Sequence, residues 1–459
     1  MDYEKKKVLV VGMARSGVAA AQLLRASGAE VTVNDSKTEE ELGQQLKSLE
    51  GLQLERRFGC AAMDLLEGKD CLVISPGIPD KAPFVVKAKE MGIYTIAVSI
   101  PGNYPGFQYA DEVSYTNTID YEAVLKVAKE KQVDGIVTAG TDVAVITIGR
   151  VCDALGLKGL SFEAARIASD KMLMKECYEK GGVRTARFRR VGFSEDVFEA
   201  VKDLEYPLIV KAVDSSGSRG ITRVNAPENM AAAIDAVRDV THKDYYIVEE
   251  FITGEEFGAQ AFVYNGKVQF VLPHGDYVFV GDTGVPVGHF APYDLPEEVV
   301  RDATEQCEKA IHAMKLDNCA VNADFILRDG KTYVLELGGR AGATCLVELV
   351  GIYYGFNYYE KIIQAALGED PVFPLEGSTP NASHLLMSDK DGVIRSITNS
   401  NGPDPDICEI QFDYGPGDRV HKFHIGPHRI GHVVTKGKTL EEAKAVLDRA
   451  MAGITIEVE

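Results

Sequence analysis

The sequence predicts a multi-domain protein that combines an α/β region with an α+β region. Its 459 residues exceed what one hydrophobic core supports, so about three domains are expected. The first third alternates short apolar runs with helical patterns, which is typical of βαβ units and a parallel sheet. From about residue 169, strand-like runs are separated by YNGK and RDGK turns, which favour antiparallel hairpins.

Individual elements follow from the apolar periodicity. In the first third we expect strands at 7–12, 30–34, 70–75, 93–98 and 134–140. Helices are expected there at 16–26, 82–91 and 121–131. Later strands are expected at 206–213, 244–251, 257–264, 267–273, 318–328 and 331–338. Later helices are expected at 170–180, 194–203, 227–238 and 296–314.

Composition limits the class of function. The net charge of −20 argues against nucleic acid as a partner, because phosphate backbones require a basic face. No apolar run reaches the ~18 residues of a membrane helix, and the first residues lack a signal peptide. We therefore expect a cytoplasmic protein without membrane contact. The eight cysteines form no CxxC pair, which favours reduced thiols over a disulfide or zinc framework.

The segment GMARSG at 12–17 follows a strand and opens a helix. Unpaired amides and the helix dipole at such a point favour a phosphate. Asp35 ends the next strand, where a carboxylate accepts a ribose hydroxyl. The pattern G-x-x-x-x-G is not the full dinucleotide motif, so a tight turn that requires glycine remains the alternative.

The wider sequence around this loop resembles the N-terminal uridine-nucleotide-binding domain of the muramyl-peptide (Mur) ligases. The resemblance covers about residues 5–92 and includes KVLVVGMARSGVAAAQLLRASGAEVTVND. It implies a Rossmann-like fold in which Gly12, Ser16, Gly17 and Asp35 contact a uridine-type nucleotide. The Mur phosphate loop with its lysine is missing, since the nearest stretch is AGTDVA at 139–144. This region either binds a ligand for another purpose or is a scaffold, which we favour.

Two lysines in the second region are placed to meet phosphates. Lys171 begins a helix in SDKMLMKE, and Lys211 lies on an apolar strand in VKAVDSSGSRGI. Two cations from different elements would neutralise part of a triphosphate. The glycine and serine loop after Lys211 would let backbone amides close over it. A solvated surface charge is the ordinary alternative for each lysine, but an apolar strand beside a glycine loop disfavours it for Lys211.

Two acidic residues predict a metal site. Asp324 in NADFIL and Glu336 in LELGGR are separated by a DG turn and would share one face of a hairpin. Both are flanked by apolar residues, where an unpaired carboxylate is costly. Mg²⁺ takes one or two carboxylates and completes its shell with phosphate oxygens and water. Two solvated carboxylates are the alternative.

These motifs stand in the order of the ATP-grasp superfamily, which the chain resembles from about residue 93 onward. The branch is that of carboxylate–amine ligases and carbamoyl-phosphate-synthetase-like proteins. The resemblance implies that Lys171 and Lys211 bind ATP phosphates and that Asp324 and Glu336 hold Mg²⁺. It also implies a phosphate lid and a strand end that binds adenine and ribose. Those residues are Ser215, Ser216, Gly217, Ser218 and Gly220 in the lid, and Glu249, Glu250, Phe251, Ile252 and Glu256 for the nucleoside.

Two further residues are candidates for the chemistry. By resemblance Arg340 in GGRAGA stabilises the transferring group, for which a guanidinium fork is suited. His289 in PVGHFAP resembles a substrate-side histidine that orients a carboxylate or relays a proton, with a structural histidine as the alternative. Many relatives have an asparagine where this chain has Gly338, so Asn322 is a further metal candidate. Four histidines after residue 420 favour a structural role over zinc.

The sequence thus predicts an ADP-forming ligase that activates a carboxylate as an acyl phosphate for attack by an amine. Its cofactors would be ATP and Mg²⁺, its substrates small molecules such as amino acids, and a homodimer is compatible with the resemblance. Carbamoyl-phosphate-type chemistry on bicarbonate and a non-catalytic nucleotide sensor are the alternatives. The expected domains are a Rossmann-like region at 1–92, a pre-ATP-grasp domain at 93–168, an ATP-grasp domain at 169–370 and a C-terminal substrate-side α+β domain at 371–459.

Overall fold

The structure of the protein is a computed structural model. It describes residues 5–11, 21–22, 24–35, 38–42, 46, 49, 51–59, 71–74, 83–101, 104–215, 219–279 and 284–459. Two predicted binding segments therefore fall partly or wholly outside the described residues: the loop with Gly12, Ser16 and Gly17, and the lid positions Ser216, Gly217 and Ser218. No helix among the described residues is long and apolar enough to cross a bilayer.

The N-terminal region contains a four-stranded parallel sheet. Its strands in chain order are β1 (Lys7–Val11), β2 (Glu30–Asp35), β3 (Glu55–Phe58) and β4 (Cys71–Ile74), and their spatial order is β3-β2-β1-β4. Val8, Leu9 and Val10 are all fully buried. A continuous buried apolar run is typical of a parallel strand covered on both faces. The short helix Glu39–Leu42 follows β2. The predicted Rossmann-like class is confirmed.

The next region is mainly helical and contains one parallel pair, β5 (Ile96–Ser99) with β6 (Glu112–Tyr115). Its helices are Pro83–Glu90, Pro105–Tyr109, Tyr121–Lys131, Val145–Leu155, Phe162–Ala168 and Lys171–Lys180. The strand predicted at 134–140 is wrong, because this segment is irregular and pairs with neither β5 nor β6. A Cβ on Gly135 would lie 2.7 Å from the Ala366 carbonyl oxygen, so packing against a helix takes the place of strand pairing.

A small antiparallel sheet follows. Its strands are β7 (Phe188–Gly192), β8 (Leu208–Lys211), β9 (Ile221–Val224) and β10 (Tyr245–Glu250), ordered β7-β10-β8-β9. The helix Met230–Arg238, preceded by the 3₁₀ turn Pro227–Asn229, covers its apolar face. The helix predicted at 194–203 is confined to Val197–Ala200.

The largest element is an eight-stranded antiparallel sheet, ordered β15-β14-β11-β12-β13-β16-β20-β18. Its first strands are β11 (Glu255–Tyr264), β12 (Lys267–Val278), β13 (Pro286–Ala291), β14 (Cys319–Arg328) and β15 (Lys331–Gly338). The C-terminal strands are β16 (Asn381–Leu386), β17 (Gly392–Asn399), β18 (Ile407–Phe412), β19 (Arg419–Val420), β20 (Gly431–Lys436) and β21 (Ile454–Val458). Strands β16, β18 and β20 belong to the main sheet, which therefore continues across residue 371, whereas β17, β19 and β21 form a separate sheet.

Helices and tight turns complete this region. The remaining helices are Glu297–Ala313, Leu346–Tyr354, Tyr358–Ala366 and Leu440–Ala452, with a 3₁₀ turn at Gly426–His428. Both predicted hairpin turns have positive φ at their two central residues: 50° and 72° at Asn265 and Gly266, and 52° and 71° at Asp329 and Gly330. Such φ values match the right-handed twist of the flanking strands. The predicted antiparallel architecture is confirmed.

Candidate active site on one face of the main sheet

One row of residues crosses four strands of the main sheet. Glu336 on β15 pairs with Asp324 on β14, Asp324 pairs with Gly258 on β11, and Gly258 pairs with His274 on β12. Directly opposed residues on neighbouring strands point to the same face. The face therefore carries two carboxylates at one end and an imidazole at the other. The sequence-based expectation that Asp324 and Glu336 share a face agrees with this register.

The pKa values of the two carboxylates are shifted in opposite directions. Burial and the negative charge of Glu336 raise the pKa of Asp324 to about 7. Burial also raises the pKa of Glu336, but Lys171 and Lys211 outweigh it and hold that pKa below its usual value. The negative charge of one carboxylate opposes ionisation of the other, and a cation bound between them would remove this repulsion. The pair is therefore suited to bind a cation.

Lys171 stands beside these carboxylates at the start of its helix. Asp170 caps that helix by accepting from the backbone N–H groups of Met172 and Leu173. The Lys171 ammonium donates to the Ser215 carbonyl at 2.7 Å and lies 3.2 Å from Glu336. The helix start thus joins the beginning of the predicted lid to the acidic end of the row.

A second buried charge cluster lies behind Lys171. The Oε2 atom of Glu249 lies 3.0 Å from the Lys211 ammonium and 3.5 Å from that of Lys175. The Lys175 side chain is 1% exposed, and burial lowers its pKa to about 8. Burial lowers the pKa of Lys211 as well, but Glu249 outweighs this and raises it. Sequence reasoning missed Lys175, although it follows Lys171 by one helical turn on the same helix face.

The strand end predicted to bind a nucleoside places its side chains on different sides. Glu249 faces the lysines, whereas Glu250 turns outward and pairs with Arg187 at 2.9 Å. Phe251 lies under the Arg223 guanidinium, 4.1 Å from ring centroid to Cζ, and Ile252 is buried. Glu256 is exposed near the start of β11, and Gly220, the last predicted lid residue, has a φ of 64°.

Arg340 is held by a partner that sequence reasoning did not identify. Its Nε and one terminal nitrogen donate to the two oxygens of Asp142 at 2.8 and 2.9 Å, and its other terminal nitrogen donates to the Ala341 carbonyl at 3.1 Å. Asp142 belongs to AGTDVA, which the sequence marked only as a departure from the Mur phosphate loop. A guanidinium has five N–H donors, so these contacts leave two for a ligand.

Gly338 stands where many relatives have an asparagine, and the neighbouring strand carries an asparagine directly opposite it. Asn322 pairs across the strands with Gly338 and donates to Asp324 at 3.4 Å. Gln260 donates to the Asn322 side-chain oxygen at 2.6 Å and accepts from the Gly342 backbone N–H at 2.8 Å. Asn322 therefore points its amide group toward the acidic pair.

The other end of the face carries His274, Asp276 and His289. The Oδ1 atom of Asp276 lies 2.9 Å from Nδ1 of His274 and 2.6 Å from Nδ1 of His289. Both imidazoles are 3% exposed, and burial lowers the pKa of His289. Sequence reasoning identified His289 alone, because Pro273 was taken as the end of the strand at 267–273. The strand instead continues to Val278.

The remaining candidates lie elsewhere. Asp35 ends β2, and its carbonyl accepts from the Gly59 backbone N–H at 3.0 Å. Two of the C-terminal histidines make local contacts: His421 with Asp391 at 3.0 Å and His428 with the Lys422 carbonyl at 3.1 Å. These contacts accord with the structural role that we expected for the histidines after residue 420.

Comparisons with known proteins match three segments of the chain to three families. Residues 6–97 match the Mur ligase MurD-like N-terminal domain, residues 204–348 the ATP-grasp domain, and residues 384–459 the L-amino acid ligase C-terminal domain 2. The crystal structure of phosphoribosylglycinamide synthetase from Anaerococcus prevotii is 38% identical, with a TM-score of 0.74, covering 83% of this chain and 98% of that chain.

Two curated proteins cover different parts of the chain. Alanine–anticapsin ligase from Bacillus subtilis (strain 168) is 23% identical over 327 residues, which are 64% of this chain and 69% of that protein. UDP-N-acetylmuramoylalanine–D-glutamate ligase from Exiguobacterium sibiricum is 49% identical over 92 residues, 20% of each chain. Both resemblances predicted from the sequence are confirmed. The chain belongs to the ATP-grasp family of ATP-dependent, ADP-forming ligases that make C–N bonds.

Proposed function

We propose that this protein joins the carboxylate of an α-amino acid to an amine through an acyl phosphate. The observation that carries the proposal is the single sheet face described above. It carries two carboxylates at one end, with Lys171 3.2 Å from Glu336, and two imidazoles at the other. Phosphoryl transfer requires the cation-binding carboxylates, and amine attack requires a base. The two steps share one intermediate, so these groups must lie close together.

In this proposal ATP lies between the small sheet and the main sheet. Lys171 and Lys211 neutralise its phosphates, and 215–220 closes over them. The backbone at 249–252 binds the adenine edge, and Glu256 accepts from the ribose hydroxyls. Glu249 keeps Lys211 charged, as its contact of 3.0 Å supports.

The acidic pair fits a divalent cation. Asp324 has a raised pKa beside Glu336, and both offer oxygen donors. These two residues would hold Mg²⁺, and Asn322 would support the site through Asp324, to which its amide nitrogen donates. The ion would supply charge neutralisation for the transferring phosphoryl group.

The reaction then has two steps. A carboxylate oxygen attacks the γ-phosphorus of ATP, the bond to the bridging oxygen breaks, and ADP leaves. An amine next attacks the acyl carbon, and phosphate leaves. Arg340, positioned by Asp142, uses its two remaining N–H donors to hold the carboxylate and then the acyl phosphate.

The comparisons support an amino acid as the carboxylate. The C-terminal segment matches an L-amino acid ligase domain, and one relative is named for joining alanine to anticapsin. The synthetase from Anaerococcus prevotii is named for a glycinamide product. These names share an amino acid but not the amine, so they support the class of the carboxylate substrate and leave the amine open.

The test measures ADP release from the purified protein with ATP, Mg²⁺ and each L-amino acid in turn, with and without a pool of amines. We expect amine-dependent ADP formation that falls at least ~10²-fold in Glu336→Gln. Glu409→Gln, a matched exchange on β18, serves as the control and retains the activity. Bicarbonate-dependent turnover without an amino acid would instead support carbamoyl-type chemistry. ATP binding without turnover over the whole panel would support a nucleotide sensor.

For the N-terminal region we propose a scaffold role within the domain boundaries predicted above. The support is that the Mur-like segment is followed by AGTDVA, which has no lysine and whose Asp142 accepts from Arg340. Calorimetric titration with uridine diphosphate tests this role. Saturable binding well below millimolar concentration would refute it.

A further inference from the structure

The cluster of His274, Asp276 and His289 is not explained by ATP binding. Asp276 and His289 are directly opposed on β12 and β13, and His289 is opposed by Ser383 on β16. The Ser383 hydroxyl lies 3.3 Å from the His289 backbone nitrogen. Ser383 therefore holds the backbone of His289 and Asp276 holds its imidazole, and both come from neighbouring strands of the sheet.

We propose that Asp276 is a positioning residue that holds His289 with a proton on Nδ1, so that Nε2 accepts a proton from the attacking amine. This inference rests on the proposed ligase function and adds the identity of the amine subsite. Asp276 and His274 contact no reacting atom in this proposal. They act through His289 and through the charge of the subsite.

The hydrogen bonds determine which ring nitrogen carries the proton. The Gly342 backbone N–H donates to Gln260, so the other atom of that amide is a donor nitrogen. This nitrogen lies 3.4 Å from Nε2 of His274, which makes Nε2 the acceptor and leaves the proton on Nδ1. His274 then donates to Asp276, and His289 donates to the same oxygen.

The charges agree with this assignment. Burial raises the pKa of Asp276, but the hydrogen bonds from His274 and His289 outweigh it and hold the pKa below its usual value. Burial lowers the pKa of His289, so that its imidazole is neutral at neutral pH. The ionised Asp276 carboxylate attracts a substrate ammonium group, and the neutral imidazole of His289 beside it is a base that can deprotonate this group.

Gly258 connects this cluster to the acidic pair. A Cβ at Gly258 would lie 2.2 Å from Cε1 of His274, so only glycine lets this ring lean across β11 toward Asp324. Three strand spacings of about 4.8 Å separate the strands of Asp324 and His289. The side chains that project from both strands and the reacting groups must together bridge that distance.

This subsite accounts for both protons that the amine loses in the second step. The amine arrives as R–NH₃⁺ and loses two protons when the C–N bond forms. One proton passes to Nε2 of His289 and then to solvent. The other leaves with the phosphate as the bond between the acyl carbon and the phosphate oxygen breaks.

A metal site is the competing interpretation, because the same three residues place ligand atoms within 4.8 Å of one another. The contacts favour the proton-relay arrangement. Both Nδ1 atoms already donate to Asp276 at hydrogen-bond distance, which accounts for the carboxylate oxygen without a cation.

The experiment compares two nucleophiles on the full chain. Hydroxylamine is largely unprotonated at neutral pH, so it traps an acyl phosphate as a hydroxamate without help from a base. A primary amine is protonated and requires the base. We expect Asp276→Asn and His289→Gln to retain hydroxamate formation within a few-fold and to lose roughly 10²-fold or more of amide formation. Glu409→Gln, which changes a carboxylate 3.4 Å from His432, keeps both reactions and is the matched control.

The outcomes separate the two proposals. Wild-type protein that forms no hydroxamate with any amino acid refutes the ligase proposal itself. Variants that lose both products equally, while their circular dichroism and ATP affinity remain those of the wild type, refute the role of Asp276 and His289. Stoichiometric Zn²⁺ binding to the wild type that is abolished in both variants also refutes it, in favour of a metal site. If Asp276→Asn fails to fold, His289→Gln decides the same question.

Discussion

Replacing Glu249 by glutamine tests the buried charge cluster behind the phosphate site. Glu249 is 3% exposed at its side chain and is the counter-ion of Lys175 and Lys211 at 3.5 and 3.0 Å. Removing one partner of a buried ion pair costs about 3–5 kcal/mol, because the remaining charge is left uncompensated. Lys175 already has a pKa of about 8 and would lose its proton more readily in the variant, so we expect the lower end, ~3 kcal/mol.

The neighbouring residue provides a matched control. Glu250→Gln removes an outward carboxylate that pairs with the half-exposed Arg187, and such a pair is worth about 0–1 kcal/mol. Since 1.36 kcal/mol is a factor of ten, hydrogen exchange in β8 and β10 should accelerate by roughly 10²-fold in Glu249→Gln, against about fivefold at most in Glu250→Gln. Adding Lys175→Met to Glu249→Gln should restore part of the protection.

Equal exchange rates in the two single variants would refute this reasoning. So would a double variant less protected than Glu249→Gln alone. Either result would mean that Glu249 does not compensate the charge of Lys175 in the folded protein.

Three further predictions follow from single contacts. Gly258→Ala should push the ring of His274 aside and destabilise the protein by about 1–3 kcal/mol, measured by thermal unfolding. An unchanged melting temperature would contradict the close contact between Gly258 and His274. Asp142→Asn should loosen Arg340 and raise the KM for the carboxylate about tenfold, as expected for one lost charge-assisted hydrogen bond; steady-state kinetics with an unchanged KM would be evidence against this positioning. Burial lowers the pKa of His289 below its usual 6.5, so the unfolded state binds more protons below pH 6.5 and stability falls as the pH falls through that window. Chemical unfolding at several pH values should show that the free energy of unfolding depends less steeply on pH below 6.5 in His289→Gln than in the wild type. An equal dependence would be inconsistent with a buried neutral imidazole.

Much of the architecture could be predicted because local signals and the fold agree. The buried run in β1, the NG and DG turns with positive φ, and the helix that Asp170 caps each express a local preference that the tertiary structure preserves. The register of Asp324 with Glu336 does not follow from the DG turn alone. A regular hairpin with Arg328 opposite Lys331 would set Asp324 opposite Leu335, and an irregularity between Asp324 and Phe325 brings Glu336 opposite Asp324 instead.

The parts that failed depend on distant contacts. The segment 134–140 has the composition of a strand, but Gly135 packs against a helix more than 200 residues later in the chain. His274 and Asp276 were missed because Pro273 is an ordinary strand terminator. In the sheet, Pro273 is opposed by Ala259 and the strand continues past it. Asp142 and Arg340 are far apart in sequence, so no spacing rule could join them.

The most direct test of the proposed acyl phosphate follows an oxygen atom. The amino acid that supports ADP release is supplied with ¹⁸O in its carboxylate, and the released phosphate is analysed by mass spectrometry after a single turnover. Transfer of a carboxylate oxygen to phosphorus requires one ¹⁸O atom in each phosphate formed. The account predicts this label, and phosphate that contains only oxygen from ATP and water would contradict it.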